Sequence, residues 1–146
     1  MSGMIDTNLL LFAANEDCRE HARAHDFVAT SMASSNAWYL TEGIIYEFLR
    51  QATQPALFEH PLEQEQCLRF LRTLHQRENF SVLTAGIEHW SLLGQLLPQV
   101  RNCVGGSFAD IRTYVLMREY GIRNIYTANS QFHEFADIQV INPLVG

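Results

Sequence analysis

Short apolar runs alternate along this chain with longer segments in which apolar residues recur at helical spacing. The first pattern marks buried strands and the second marks amphipathic helices. Strands are predicted at about 3–6, 37–40, 80–83, 124–127 and 138–141. Helices are predicted over 8–14, 16–31, 62–77 and 86–97, with a short helical turn at 130–135. Another helix runs from a cap at Thr41 to about Thr53, ahead of Pro55, and a last one opens at Ser107 and closes at Gly121. Proline removes an N–H that a helix needs, and a glycine just past the last turn takes the left-handed cap. A polar loop carrying Gly105 and Gly106 spans 101–106.

Strands alternating with helices predict an α/β domain whose parallel sheet is covered on both faces. Such sheets bind ligands beyond the carboxyl ends of their strands. The segment Met4-Ile5-Asp6-Thr7-Asn8-Leu9 takes an apolar strand straight into an acid and two small polar residues. Asp6 therefore stands at that edge, and Thr127 and Asn129 stand at the end of a later strand. A carboxylate there has two readings. It is a metal-binding group on a rigid element, or it is a helix N-cap accepting backbone N–H bonds.

Composition narrows the setting. At 146 residues the chain reads as one domain, 1–146, long enough to build a core without disulfide or metal staples. No run approaches the roughly 18 apolar residues of a membrane span, and no start resembling a signal peptide is present. Cys18, Cys67 and Cys103 are far apart and odd in number, which fits neither a zinc site nor a disulfide framework and points to a reducing cytoplasm. All ten basic residues are Arg and the net charge is −6, which argues against a protein that coats nucleic acid. An enzyme that grips RNA through a few arginines and metal ions stays compatible, as does a partner with a basic segment. Eleven of the sixteen acids are Glu, so each Asp carries more weight.

Glu47 and Asp110 are the other acids of interest. Ile44, Ile45, Phe48, Leu49 and Ala52 form the core face of their helix, and Glu47 falls to its side. There a solvated acid is the simpler reading, and Glu42 would serve equally well. Ser107 followed three residues later by Asp110 is close to a capping box, which needs no chemistry. His21 and His25 lack the glutamate of the zinc-protease motif and read as surface histidines. Nucleophile-elbow and phosphate-cradling glycine motifs are absent. Trp38 and Trp90 are assigned to the core or to an interface.

Taken in order, Asp6, Glu47, Asp110 and the turn Thr127-Ala128-Asn129-Ser130-Gln131-Phe132 resemble the PIN-domain ribonucleases, and more narrowly the VapC toxins of bacterial toxin–antitoxin pairs. The matching segments are Met4 to Asn8, Ile45 to Arg50, Phe108 to Asp110 with Gly121 closing the helix, and Tyr126 to Phe132; the ending Val140 to Leu144 is typical of one branch. They span almost the whole chain, and their order and spacing are more specific than any one of them. The resemblance implies a PIN-like three-layer α/β/α sandwich with a short central parallel sheet. It implies an acidic pocket in which Asp6, Glu47 and Asp110 hold Mg²⁺ or Mn²⁺, with Asn129 as a fourth catalytic position and Asn8 and Thr127 in support. The activity implied is hydrolysis of RNA phosphodiester bonds by metal-activated water, restrained by a cognate antitoxin. A homodimer is implied too, with DNA reached only through the antitoxin and no membrane contact.

The sequence departs from the family in its last motif. The turn usually reads Thr-x-Asp-x-Asp-Phe, and here Asn129 and Gln131 replace both acids. Losing those charges weakens a second metal more than the first. Two other functions stay open on these grounds: a non-catalytic PIN-like module, and a structure-specific DNA nuclease that shares the metal chemistry. Arg50, Arg101 and Arg112 are candidates for substrate contacts because they lie near the motifs.

Overall fold

Strand β1 (Gly3–Ile5) runs into helix α1 (Thr7–Ala14) with only Asp6 between them. The Asp6 carboxylate makes that switch possible: its Oδ1 accepts the Thr7 N–H at 2.8 Å, satisfying a donor that the first turn leaves unpaired. The structure, a computed structural model, describes residues 2–101, 105 and 107–145. The chain continues through α2 (His21–Ala33), β2 (Trp38–Thr41), α3 (Glu42–Ala52), α4 (Gln64–His75), β3 (Phe80–Leu83) and α5 (His89–Leu96). It ends with α6 (Ser107–Tyr120), β4 (Asn124–Tyr126) and β5 (Gln139–Ile141), and 3₁₀ turns cover Leu97–Gln99 and Ser130–Glu134.

All strand pairs are parallel, in the order β3-β2-β1-β4-β5. Neighbouring residues of a strand face opposite sides of the sheet. Met4 and Ile5 are both fully buried, so the sheet is covered on both faces, as an α/β/α sandwich requires. From β1 the chain builds outward through β2 to β3, then returns to add β4 and β5 on the other side. The order therefore reverses between β1 and β4, the place where open α/β sheets form a crevice. Met4 is in register with Ile125 and Ile5 with Tyr126, which brings Asp6 beside Thr127.

Local chemistry sets the other boundaries. Thr41 Oγ1 accepts the Ile44 N–H at 3.0 Å and opens α3. The Glu63 N–H donates to Gln66 Oε1 at 2.8 Å at the start of α4. Gly121 closes α6 at φ 70°, a conformation that costs a side-chain-bearing residue energy. The core joins Ile111, Tyr114, Val115 and Met117 of α6 to β1 and β4, and Phe48 of α3 stacks on Phe70 of α4.

Two helix starts move by three residues or more. The helix predicted over 16–31 begins at His21, because residues 15–21 are held in turns: Asn15 Oδ1 accepts the Asp17 N–H at 3.2 Å, and Asn15 and Cys18 carbonyls accept from Cys18 and His21. The helix predicted over 86–97 begins at His89, since the Gly86 N–H is taken by Glu119 Oε2 at 2.7 Å and the Gly86 carbonyl closes a turn on His89. Pro98 sits inside a 3₁₀ turn, with the helix ending two residues before it. Cys103 and most of the loop 101–106 lie outside the described residues. Trp38 is buried in the core, whereas Trp90 is 81% exposed.

Candidate active site

A cavity of about 810 Å³ opens where the carboxyl end of β1 meets α3 and α6. Five of the six residues singled out from the sequence line it: Asp6, Asn8, Glu47, Asp110 and Asn129. The sixth, Thr127, is fully buried and holds Asp6 from below. Tyr46 and Phe108, 69% and 47% exposed, also line this cavity.

Asp6 is held at every oxygen. While Oδ1 caps α1, Oδ2 accepts the Thr127 hydroxyl at 2.7 Å and Asn8 Nδ2 at 3.3 Å. The Asp6 side chain thus caps a helix and also faces the cavity. Thr127 Oγ1 is the hub of this group. It also accepts Asn8 Nδ2 at 3.0 Å and the Asn129 N–H at 2.9 Å. Asn8 Oδ1 accepts the Ala128 N–H at 3.1 Å, tying the two strand ends together. Thr127→Val removes one hydroxyl and leaves its partners short of theirs. Urea denaturation in EDTA is expected to show a loss of about 1–3 kcal/mol, whereas a loss near zero would mean that the hub is dispensable.

Asp110 lies across the cavity on the first turn of α6. Burial pushes its carboxyl up to about 6, the charge of Asp6 adds to the rise, and Asn129 Nδ2, donating at 3.0 Å to Oδ2, works against it. Asp6 is raised too, by burial, with the Thr127 hydroxyl and the Thr7 N–H opposing. The side chain of Ser107 lies outside the described residues, so the capping-box reading of Asp110 has its partner there.

Asn129 presents its donor to the acids. Its Oδ1 accepts the Gln131 N–H at 3.0 Å and caps the 3₁₀ turn, which leaves Nδ2 for Asp110. Gln131 is exposed and does not line the cavity. Asp137, at φ 66°, is exposed and 3.4 Å from Arg118.

Glu47 lines the cavity, while Glu42 faces a smaller hollow on the far side of Gly43. The Glu47 carboxylate is clasped by its own helix. Arg50 Nη2 donates to Oε1 at 2.5 Å, Arg50 Nε to both oxygens at 3.2 and 3.3 Å, and Gln51 Nε2 to Oε1 at 2.8 Å. Arg50 holds this carboxyl below its usual range, with Gln51 helping against partial burial. Asp6, Glu47 and Asp110 therefore do not bring three carboxylate oxygens within 4.8 Å of one another. Sequence reasoning missed the clasp, although Glu and Arg three apart on a helix are its signal.

Among the described residues, the one set of three His, Cys or acidic side chains that does converge is Asp17, Glu59 and His60, all exposed. Its geometry is that of a surface ion pair, His60 Nδ1 lying 2.7 Å from Asp17 Oδ2. Asp17 follows α1, Glu59 and His60 precede α4, and none of the three lines the cavity.

The cavity's donors fit a hard divalent cation. Asp6 and Asp110 supply carboxylate oxygens, and their mutual repulsion is what such a cation relieves. Protons compete for these oxygens, and raised folded-state pKa values mean that they are held more tightly than in a free carboxylate. Mn²⁺ affinity is therefore expected to fall as pH drops through about 6, by up to about tenfold per unit for each proton displaced. Calorimetric titration from pH 5 to 8 checks this, and a flat profile would exclude Asp110 as a ligand.

No known family profile matches the chain. Ribonuclease VapC33 of Mycobacterium tuberculosis is 29% identical over 142 residues, covering 95% of this chain and 96% of that protein. Among solved structures, VapBC2 from Rickettsia felis bound to a promoter DNA fragment superposes with a TM-score of 0.70 at 14% identity, over 97% of this chain and 98% of that one. VapC20 of Mycobacterium tuberculosis, a toxin that cleaves the sarcin-ricin loop, gives 0.67 at 13% identity, over 95% and 99%.

Proposed function

We infer that this chain, a VapC-type member of the PIN-domain ribonucleases, is an endoribonuclease toxin that hydrolyses RNA with the help of Mg²⁺ or Mn²⁺. The observation that carries the reading is the pair of carboxylates, Asp6 and Asp110, facing one cavity at the point where the strand order reverses. Similarity along nearly the full length of a ribonuclease supports it.

Asp6 and Asp110 would hold the cation, with Glu47 as the third acid of the set. When bound, such a cation lowers the pKa of an attacking water and offsets charge on the phosphate and the leaving oxygen. The protein's own groups prepare the rest. Thr127 and Asn8 fix the Asp6 carboxylate in one orientation, so its ordering does not have to occur on binding. Asn129 keeps Asp110 aimed into the cavity and tempers its repulsion with Asp6. Arg50 keeps Glu47 ionised, ready to serve as a ligand once the clasp opens.

A cognate antitoxin is the partner this reading requires, since a nuclease of cellular RNA has to be restrained. The acids of the cavity and the net charge of −6 suit a basic antitoxin segment. Contact with DNA then runs through the antitoxin. For a homodimer, Ile87 just before α5 and Trp90 in its first turn, 95% and 81% exposed, supply an apolar surface. Among the described residues no helix is long and apolar enough to cross a membrane.

Induced expression in a bacterial host tests the function. Growth arrest with discrete RNA fragments, relieved by co-expressing the antitoxin, is the expected result. Arrest with intact RNA and cleaved flap-containing DNA would favour the DNA nuclease. Normal growth with abundant folded protein would favour a non-catalytic module.

A further inference from the structure

Of the three arginines that lie near the motifs, the structure treats each differently. Arg50 is spent on Glu47, and Arg101 is exposed and does not line the cavity. Arg112 lines the cavity, and among the described residues it makes no hydrogen bond or ion pair. It emerges from α6 two residues after Asp110, and its guanidinium lies over the backbone of Gly43 in α3. A Cβ at position 43 would run into the guanidinium at Nη2, Nε and Cζ. Gly43 thus leaves the slot that the Arg112 head group fills.

Arg112 also borders a second hollow, of about 280 Å³, which Glu42, Gly43, Leu83, Thr84 and His89 help to line, so its guanidinium also offsets the one acid there. The guanidinium therefore stands on the divide between the acid-lined cavity and a neighbouring depression. A free guanidinium at that place, in a chain of net charge −6, has the geometry to take a phosphodiester through two parallel N–H donors. Phosphate contacts of this kind set the register of a strand without reading its bases.

We propose that Arg112, seated in the slot left by Gly43, binds an RNA phosphate next to the one being cut, so that the strand leaves the acid cavity over Gly43 and enters the smaller hollow. This rests on the ribonuclease reading above and names the residue that sets the strand's path. Arg112 acts on substrate directly, and Gly43 is a positioning residue that acts through it.

The test is fluorescence anisotropy of a labelled single-stranded RNA in EDTA, using the uncleaving Asp6→Asn protein as parent. Adding Arg112→Ala is expected to weaken binding at least about tenfold, the scale of a lost charged hydrogen-bond pair. It also lowers the slope of log affinity against log salt by about 0.7, one phosphate's worth. Arg112→Lys restores the slope and only part of the affinity, because a point charge replaces a planar fork. Gly43→Ala weakens binding with no charge lost, while Arg69→Ala, on the exposed side of α4, leaves affinity and slope unchanged. Unchanged affinity and slope in Arg112→Ala would overturn the proposal while a native protein that still cuts RNA upholds the nuclease. A parent that does not bind RNA, from a native protein that does not cut it, would overturn both.

Discussion

Asp6→Asn is expected to fold in EDTA and yet to cut RNA more than a hundredfold more slowly. Asparagine caps a helix about as well as aspartate, so the Thr7 N–H keeps its acceptor. At the other oxygen an Nδ2 donor replaces the acceptor shared by the Thr127 hydroxyl and Asn8 Nδ2, a cost set against removal of the buried charge that helps push Asp110 up. What is lost is one of the two carboxylates that face each other across the cavity. Weakening even the supporting groups around a metal typically costs about 10–100-fold, and a direct ligand costs more. Thermal melting and Mn²⁺ titration on the same preparation separate the outcomes. A cooperative melt in EDTA with lost metal binding is the expected pair. Retained cleavage would remove Asp6 from the site.

Asn129→Asp is expected to act in opposite directions with and without metal. In EDTA it replaces the donor that Asp110 now receives at 3.0 Å with a third carboxylate, beside two that already repel. The free protein should lose up to about 1 kcal/mol, below the range for an unmet buried partner because both side chains are half-buried. With Mn²⁺ the added charge should tighten binding at least about tenfold, because ligand charge sets the affinity of such sites. Ligand binding stabilises the folded state in proportion to its affinity, so the gap in melting temperature between EDTA and saturating Mn²⁺ should widen. A variant melting higher in EDTA, or binding Mn²⁺ no better, would show that Asn129 does not face the cation site.

The last motif gains meaning from this geometry. Gln131 is exposed, so the second amide of the turn takes no charge away from the cavity. The departure from the family pattern at the site itself comes down to Asn129, whose amide stabilises the ionised form of Asp110 in the free protein.

Asp6, Thr127 and Asn129 were legible in the sequence because short strands end where polar residues begin, and a parallel sheet gathers those ends at one edge. Asp110 was legible only as an acid in a first helical turn, since its place in the cavity depends on how α6 packs near the end of β1. Helical periodicity placed Glu47 beside the core stripe, which is also where an ordinary surface acid stands. Its clasp by Arg50 and Gln51 rests on rotamers that spacing does not determine. The seat of Arg112 over Gly43 joins two helices almost seventy positions apart, and no local pattern encodes such a contact. The turn through 15–20 was missed because hydrogen bonds that Asn15 accepts from Asp17 and Cys18 outcompete helix formation there, a choice that apolar periodicity does not register.

The most direct test of the account is the rate at which the purified, antitoxin-free protein cuts a labelled single-stranded RNA while free Mn²⁺ is raised from an EDTA-buffered zero. The account predicts no cutting at zero, a saturating rise with Mn²⁺, and no rise in an Asp110→Asn variant that melts like the native protein. Cutting that persists in EDTA, or an Asp110→Asn protein that responds to Mn²⁺ as the native one does, would contradict it.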